Sequence, residues 1–63
     1  MTEQEIEEYI DEHGMTHLLV MIENICYGKA EHARHNWQDK ILARAWEKGA
    51  RHVNTLAREE WPL

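Results

Sequence analysis

The stretch KAEHARHNWQD, residues 29–39, decides the fold, because one helical pattern ends in it and another begins. Asn is a favoured N-cap residue, and Asp39 follows Asn36 at the three-residue spacing of a capping box. We therefore expect Asn36 to separate two helices. One unbroken helix over 16–59 is the alternative, because Asn interrupts a helix less strongly than Gly or Pro does.

Apolar residues recur at three- and four-residue steps on both sides of this stretch, which is the period of a helix. Thr16 is the expected N-cap of a helix over 16–35, and the short connection to a helix over 37–59 predicts an antiparallel hairpin. Gly28 lies mid-helix, which suggests either a close approach of another backbone or simple tolerance. The expected core-facing residues are Leu18, Leu19, Ile22, Ile25, Cys26, Ala30 and Ala33 before the turn, and Leu42, Ala45, Trp46, Gly49, Val53 and Leu56 after it.

The first residues of the chain predict a shorter helix over 3–13. Thr2 and Glu5 have the spacing of a capping box, and Gly14 is a helix stop signal. Between them lies a narrow apolar stripe of Ile6, Tyr9 and Ile10. The expected fold is thus all-α, a single domain over 1–63 with a short N-terminal helix and an antiparallel helical hairpin.

A chain of 63 residues buries only about 60% of its unfolded surface when it folds alone, so its core is marginal. Disulfides, metals or oligomerisation usually compensate at this size. Cys26 is the only cysteine, which excludes an internal disulfide and is typical of a reducing compartment. We therefore expect a homo-oligomeric helical bundle. The expected interface residues are Val20, Met21, Tyr27 and Trp46.

The net charge of −5 hides an asymmetry, because all seven Lys and Arg residues lie in 29–63, while 1–28 contains acidic residues and neither Lys nor Arg. Duplex nucleic acid is not an expected partner at this charge, since neutralised phosphates supply most of that affinity. A basic ridge on the last helix is either solvated and partly paired with Glu47, or takes up an acidic partner, such as the first helix of a neighbouring chain. The ridge comprises Lys40, Arg44, Arg51 and Arg58.

No targeting or membrane segment is expected. The longest apolar run, 18–22, is far shorter than the roughly 20 residues that cross a bilayer. The acidic N-terminus differs from the basic start of a signal peptide. A cytoplasmic protein is therefore expected, with no membrane partner.

Residues that could react or bind metal are present, but not in recognised arrangements. His35 follows His32 by three positions and Glu31 by four, so a metal could bridge either pair, yet zinc needs three or four ligands. Cys26 lies on the apolar stripe, where a free cysteine is usually an inert core residue. We therefore expect no metal, no cofactor and no catalysis.

A ligand site is nevertheless expected in the stretch 29–39. Lys29 falls on the buried face of its helix, so its ammonium group must either snorkel to solvent or meet an anion. In the second case the stretch offers a cation for phosphate, amides for base edges and an indole for stacking, beside the free N–H groups of the next helix. The residues of this predicted ligand site are Lys29, His32, Asn36, Trp37 and Gln38.

The pattern ICYGKAEHARHNWQDKILARAWEKGA, residues 25–50, resembles short uncharacterised helical proteins carried by bacteria and their phages, which share KAEH, NWQD and AxxWE. The resemblance covers less than half of the chain and implies no activity. In size and architecture the chain is also similar to small helical oligomers with which phages sequester host signalling nucleotides or block host defence proteins.

Two functions follow as expectations. The first is sequestration of a small anionic or nucleotide ligand, for example a host defence signal. The alternative is inhibition of a host protein, with the acidic first helix or the tail 61–63 making the contact. A purely structural or regulatory bundle is the third interpretation.

Overall fold

The computed structural model describes residues 2–36 and 38–62, and three helices account for most of them. These helices are α1 (Glu3–His13), α2 (Met15–Asn36) and α3 (Lys40–Ala57), and the described residues form no strand. The predicted all-α class is therefore confirmed. Among the helices described, none combines the length and the apolar composition that a bilayer crossing requires.

The first helix begins at the predicted capping box. The Thr2 hydroxyl accepts the Glu5 backbone N–H at 3.2 Å, and the Glu5 carboxylate accepts the Thr2 backbone N–H at 3.3 Å. Gly14 ends α1 at a φ of 92°, which favours glycine, and its N–H donates to the Ile10 carbonyl at 2.7 Å. The capping box and the stop at Gly14 are both confirmed.

The second helix follows the first almost without a connection. Met15 already begins α2, and the Gly14 carbonyl accepts the Leu18 N–H at 3.4 Å. Thr16 therefore lies inside the first turn, and the predicted Thr16 cap is wrong. The reason is that Gly14 serves both helices, so no residue remains for a separate cap.

Asp39, and not Asn36, caps the third helix. The Asp39 carboxylate accepts the Leu42 N–H at 2.9 Å, and the Asp39 N–H donates to the Ala33 carbonyl at 3.0 Å. Asn36 is instead the last residue of α2, where its side-chain amide lies 2.9 Å from His32 Nδ1. The predicted Asn36 cap and the unbroken helix over 16–59 are therefore both wrong, and α3 begins at Lys40.

Two side-chain contacts set the arrangement of α2 and α3. The Asn54 amide donates to both Glu23 carboxylate oxygens at 3.1 and 3.2 Å, and Arg34 forms an ion pair with Glu47. The first contact joins the N-terminal half of α2 to the C-terminal end of α3, and the second joins the C-terminal end of α2 to the N-terminal half of α3. This pairing is compatible with an antiparallel hairpin.

The core between these helices consists mainly of alanine. On α3 the buried positions recur every seventh residue, a spacing that holds one seam of a helix against its neighbour. Small side chains at such a seam let two backbones approach closely, and we call this contact the alanine seam. Its buried residues are Ala30, Ala33, Ala43, Ala50 and Ala57, with Leu19 and Cys26 also buried on α2.

The larger side chains lie beside the seam, which corrects part of the predicted core. Ile22 and Ile25 are 36% and 56% exposed, and Ala45 and Leu56 are also exposed. Leu42, Trp46, Gly49 and Val53 are half-buried. The predicted core face of α3 is thus rotated about the helix axis, away from the observed alanines and toward the bulky apolar residues. The reason is that an apolar pattern gives bulky residues more weight than alanine.

The second helix is central, because both α1 and α3 pack on it. No Cα atom of α1 comes within 8 Å of a Cα atom of α3, so α1 packs only on α2 in the part of the chain described. The molecule measures 40 × 24 × 13 Å. At axial separations of about 8–10 Å, two layers of helices span roughly 13–15 Å between their outermost Cα atoms, so the smallest dimension of 13 Å has room for α1 to lie out of the plane of α2 and α3.

Candidate functional site

Lys29 does not lie on the buried face of α2. The residue is exposed, whereas the buried stripe of α2 consists of Leu19, Cys26, Ala30 and Ala33. The predicted burial of Lys29 is wrong. The buried stripe of α2 follows the alanine seam with α3, and it is narrower than the apolar pattern of the sequence indicated. The Lys29 ammonium group is therefore free to meet solvent or a ligand without crossing the core.

Three residues of the predicted ligand site share one side of α2. Lys29, His32 and Asn36 are three and four positions apart, so their side chains are neighbours on the helical surface. All three are exposed, and the Asn36 amide is bonded to the His32 ring at 2.9 Å. Gln38 follows with a φ of 52° and is also exposed. Trp37 lies outside the described residues.

The N-terminus of α3 is already occupied by a carboxylate. Asp39 caps it and places a negative charge where an incoming anion would bind. The Leu42 N–H is therefore not free for an incoming anion, which weakens the predicted gain in anion affinity at this helix end. Cations in the neighbourhood include the exposed Lys40 and Arg44, whereas Arg34 is paired with Glu47.

Candidate metal ligands are scattered along the helices. His35 Nε2 lies 3.9 Å from a Glu31 carboxylate oxygen on the surface of α2. Within residues 2–36 and 38–62, no three His, Cys, Asp or Glu side chains are grouped so that they could hold a metal ion. Cys26 is buried in the contact with α3.

A ring cluster at the α1–α2 junction was not predicted. The Tyr9 ring lies 4.4 Å from the His13 ring and 5.6 Å from the His17 ring, and the two imidazoles are 5.4 Å apart, centroid to centroid. The Tyr9 hydroxyl also donates to Met21 Sδ at 2.8 Å. The sequence signal for this cluster was the four-residue spacing of Tyr9, His13 and His17. The predicted helix stop at Gly14 separates His17 from the other two rings, so the spacing did not indicate one cluster.

An apolar groove lies between α1 and α2. It has a volume of about 240 Å³, and α1 contributes Ile6 and Tyr9 to its lining. The side chains from α2 are Leu18, Met21, Ile22 and Ile25. Such a lining suits apolar side chains of a partner better than a charged ligand.

The groove continues as an apolar surface on α3. Glu47 and Asn54 point to one side of the alanine seam, since they bond residues of α2 there. At about 100° per residue, the bulky apolar residues of α3 project to the other side, as do those of α2 that line the groove. We call this surface the apolar face. On α3 it comprises Leu42, Trp46, Gly49, Val53 and Leu56.

The opposite surface, which we call the charged face, carries the basic ridge. It includes the Glu23–Asn54 and Arg34–Glu47 contacts together with the exposed Lys40, Arg44, Arg51 and Arg58. The predicted interface residues divide between the two faces, with Met21 and Trp46 on the apolar face and Val20 and Tyr27 on the charged face. The chain matches no protein-family model, no curated protein and no solved structure.

Proposed function

We propose that this chain is a non-catalytic binding protein, which works as a homo-oligomer of antiparallel α2–α3 hairpins and takes a small anionic or nucleotide ligand. The observation that supports it best is the exposed row of Lys29, His32 and Asn36 beside the turn. An ammonium group, an imidazole and an amide on one helical side match the charge and hydrogen-bonding needs of a phosphate. Sequestration of a signalling nucleotide is the function for which such a protein is suited.

The charge balance near the turn supports the same ligand class. The Arg34 charge is neutralised by Glu47, whereas Lys29 forms no ion pair with any carboxylate of the described residues. An exposed lysine next to hydrogen-bonding side chains attracts anions, and the attraction weakens as salt rises. Binding should therefore be modest and sensitive to ionic strength.

Thermal-shift and calorimetric titrations with pyrophosphate, ATP and cyclic AMP test this proposal on the full chain. We expect a rise in Tm with at least one of these ligands, a loss of that rise in Lys29→Ala, and its retention in Lys48→Ala. Lys48 is the matched control, since it is an exposed lysine on α3 outside the cluster. No shift with any of the three ligands, or equal losses in both variants, contradicts the proposal.

A second candidate function is that of an acidic protein-interaction module. The observation that favours it is that α1 carries a dense set of exposed carboxylates and, among the described helices, packs only on α2, so most of its surface is open. A basic partner, such as a host protein inhibited by this chain, matches that charge. The exposed acidic residues of α1 are Glu3, Glu5, Glu7, Glu8, Asp11 and Glu12.

Pull-down from a bacterial lysate tests the second candidate. The bait is the full chain, compared with a Glu7→Gln, Glu8→Gln, Asp11→Asn variant that keeps the helix but removes three charges. A Glu59→Gln, Glu60→Gln variant controls for the loss of acidic charge elsewhere. A partner that is lost only with the α1 variant supports the candidate, and capture that is indifferent to α1 charge rejects it.

A further inference from the structure

We infer that the apolar face is a self-docking surface, on which the same face of a second copy packs about a two-fold axis. This inference rests on the homo-oligomeric part of the proposed function and names the surface that performs it. A two-fold interface uses the same patch on both copies. Such packing buries the apolar side of α3 against helices of the second copy, which is how helices ordinarily cover their apolar sides.

The surface area indicates how much one chain leaves uncovered. A compact monomer of 7.5 kDa has an accessible surface of about 4,200 Å², whereas this chain has 5226 Å². The excess of about 1,000 Å² is close to the roughly 800 Å² that each partner buries in a standard interface. The radius of gyration agrees, because it is 13.5 Å where a compact chain of this length has about 11 Å.

The core of a single chain is incomplete, which agrees with its excess of accessible surface. Among the described residues, no large side chain is fully buried, and the deepest positions are alanines. Trp46, Val53 and the leucines beside them supply most of the apolar bulk, yet they remain half-buried or exposed. Burial of such side chains is worth about 1.5–3 kcal/mol each, which the lone chain does not gain in full.

The charges select the apolar face over the charged face. A two-fold contact through the charged face would bring Arg44, Arg51 and Arg58 close to their own copies, and like charges at an interface oppose association. The glutamates on that face do not relieve this, because Glu23 is bonded to Asn54 and Glu47 is paired with Arg34. On the apolar face, the groove lining and the five α3 residues carry no charge, and Lys29, four positions after Ile25, is the one Lys or Arg of the described residues on that side of α2 and α3.

Space for a second backbone exists at the centre of the apolar face. Gly49 lies between Leu42, Val53 and Leu56 on the helical surface. A Cβ atom placed on Gly49 would lie more than 4 Å from every described atom other than its chain neighbours and the α3 backbone around it. A residue without a side chain in an apolar surface allows the helix of another copy to come close. The second copy is therefore the occupant that the area, the charges and the shape all fit.

Sedimentation velocity of the full chain, over concentrations from nanomolar to millimolar, tests this inference with two matched variants. Leu56 lies on the apolar face and Val20 on the charged face, and both are 42% exposed in the single chain. We expect the wild type to dimerise or form an even-numbered assembly. Leu56→Glu should raise the dissociation constant at least tenfold, and Val20→Glu should leave it unchanged.

A third variant keeps the test decisive if Leu56→Glu unfolds. Ile25→Glu alters the same face from α2, at a side chain that is 56% exposed. If circular dichroism shows a loss of helicity in both apolar-face variants but not in Val20→Glu, the inference is supported. A side chain that is exposed in a lone chain contributes little to its stability, so such a loss means that the side chain is buried in an assembly. A wild type that is monomeric throughout, or equal effects of all three variants, overturns it. A folded monomer that still binds pyrophosphate or a nucleotide would overturn self-docking alone and leave the ligand proposal standing.

Discussion

The alanine seam and the apolar face lie on the same two helices but differ in what they are made of. At the seam, Ala43 and Ala50 are completely buried by α2, although each contributes only a methyl group. On the apolar face, Trp46 and Leu56 carry far more apolar area and remain partly in water. Small residues therefore set how α2 and α3 approach each other, whereas the large residues remain available to whatever covers the apolar face.

Enlarging a seam residue should have the largest effect. In Ala50→Leu, three extra carbon atoms enter a contact that is already closed, so we expect the free energy of unfolding to fall by about 1–3 kcal/mol. Ala45→Leu is the matched control, because Ala45 is exposed on α3 and surface changes are usually within about 0.5 kcal/mol. Urea denaturation at one fixed protein concentration measures both values.

Equal losses in the two alanine variants would contradict the seam as described. So would a neutral Ala50→Leu, because it would mean that α2 and α3 can separate by the width of a leucine without penalty. A loss confined to Ala50→Leu would show that the close approach of the two helices, and not the total apolar content, stabilises the pair.

The turn that aligns the seam gives the next largest effect. Asp39→Ala removes the carboxylate that accepts the Leu42 N–H, and loss of an N-cap costs about 1 kcal/mol. Asn36→Ala removes only an exposed contact with His32, so a smaller loss, within about 0.5 kcal/mol, is expected. Thermal denaturation of the two variants compares them directly. A larger loss from Asn36→Ala would restore the predicted cap and move the start of α3.

Local signals were enough to predict α1 but not the start of α3. Thr2, Glu5 and Gly14 act through hydrogen bonds to backbone a few residues away, so their spacing identifies them. At the turn, Asn36 and Asp39 are both good caps, and the sequence ranks them almost equally. Contacts that the sequence does not reveal decide which of these two residues caps α3. One of them is the hydrogen bond that the Asp39 N–H donates to the Ala33 carbonyl.

The same limit applies to the core and to the candidate site. The seven-residue recurrence of Ala43, Ala50 and Ala57 was present in the sequence, but alanine gives a weak apolar signal beside leucine and tryptophan. Once the seam is placed on these alanines, the buried side of α2 narrows and Lys29 becomes exposed. The predicted grouping of Lys29, His32 and Asn36 on one helical side needed only helical spacing.

The two mid-helix glycines give the smallest and most specific comparison. An alanine methyl group at either Gly28 or Gly49 would lie more than 4 Å from every described atom other than its chain neighbours and the surrounding helix backbone, so the single chain has room for alanine at both positions. Replacing a helical glycine by alanine adds about 1 kcal/mol of stability where nothing else intervenes. Gly28→Ala should approach that gain, because Gly28 is exposed and belongs neither to the groove lining nor to the α3 residues of the apolar face.

Gly49→Ala should gain less, or lose stability, because a second copy packed on the apolar face would meet the added methyl group. The measurement is urea denaturation of both variants at a low and a high protein concentration, together with their dissociation constants from sedimentation. At high concentration we expect the two glycine variants to diverge, and at a dilution that separates the copies the gain from Gly49→Ala should approach that from Gly28→Ala. If the two glycine variants gain equal stability at every concentration, no backbone of a second copy approaches Gly49. The apolar face would then have to bind something that leaves the centre of α3 uncovered.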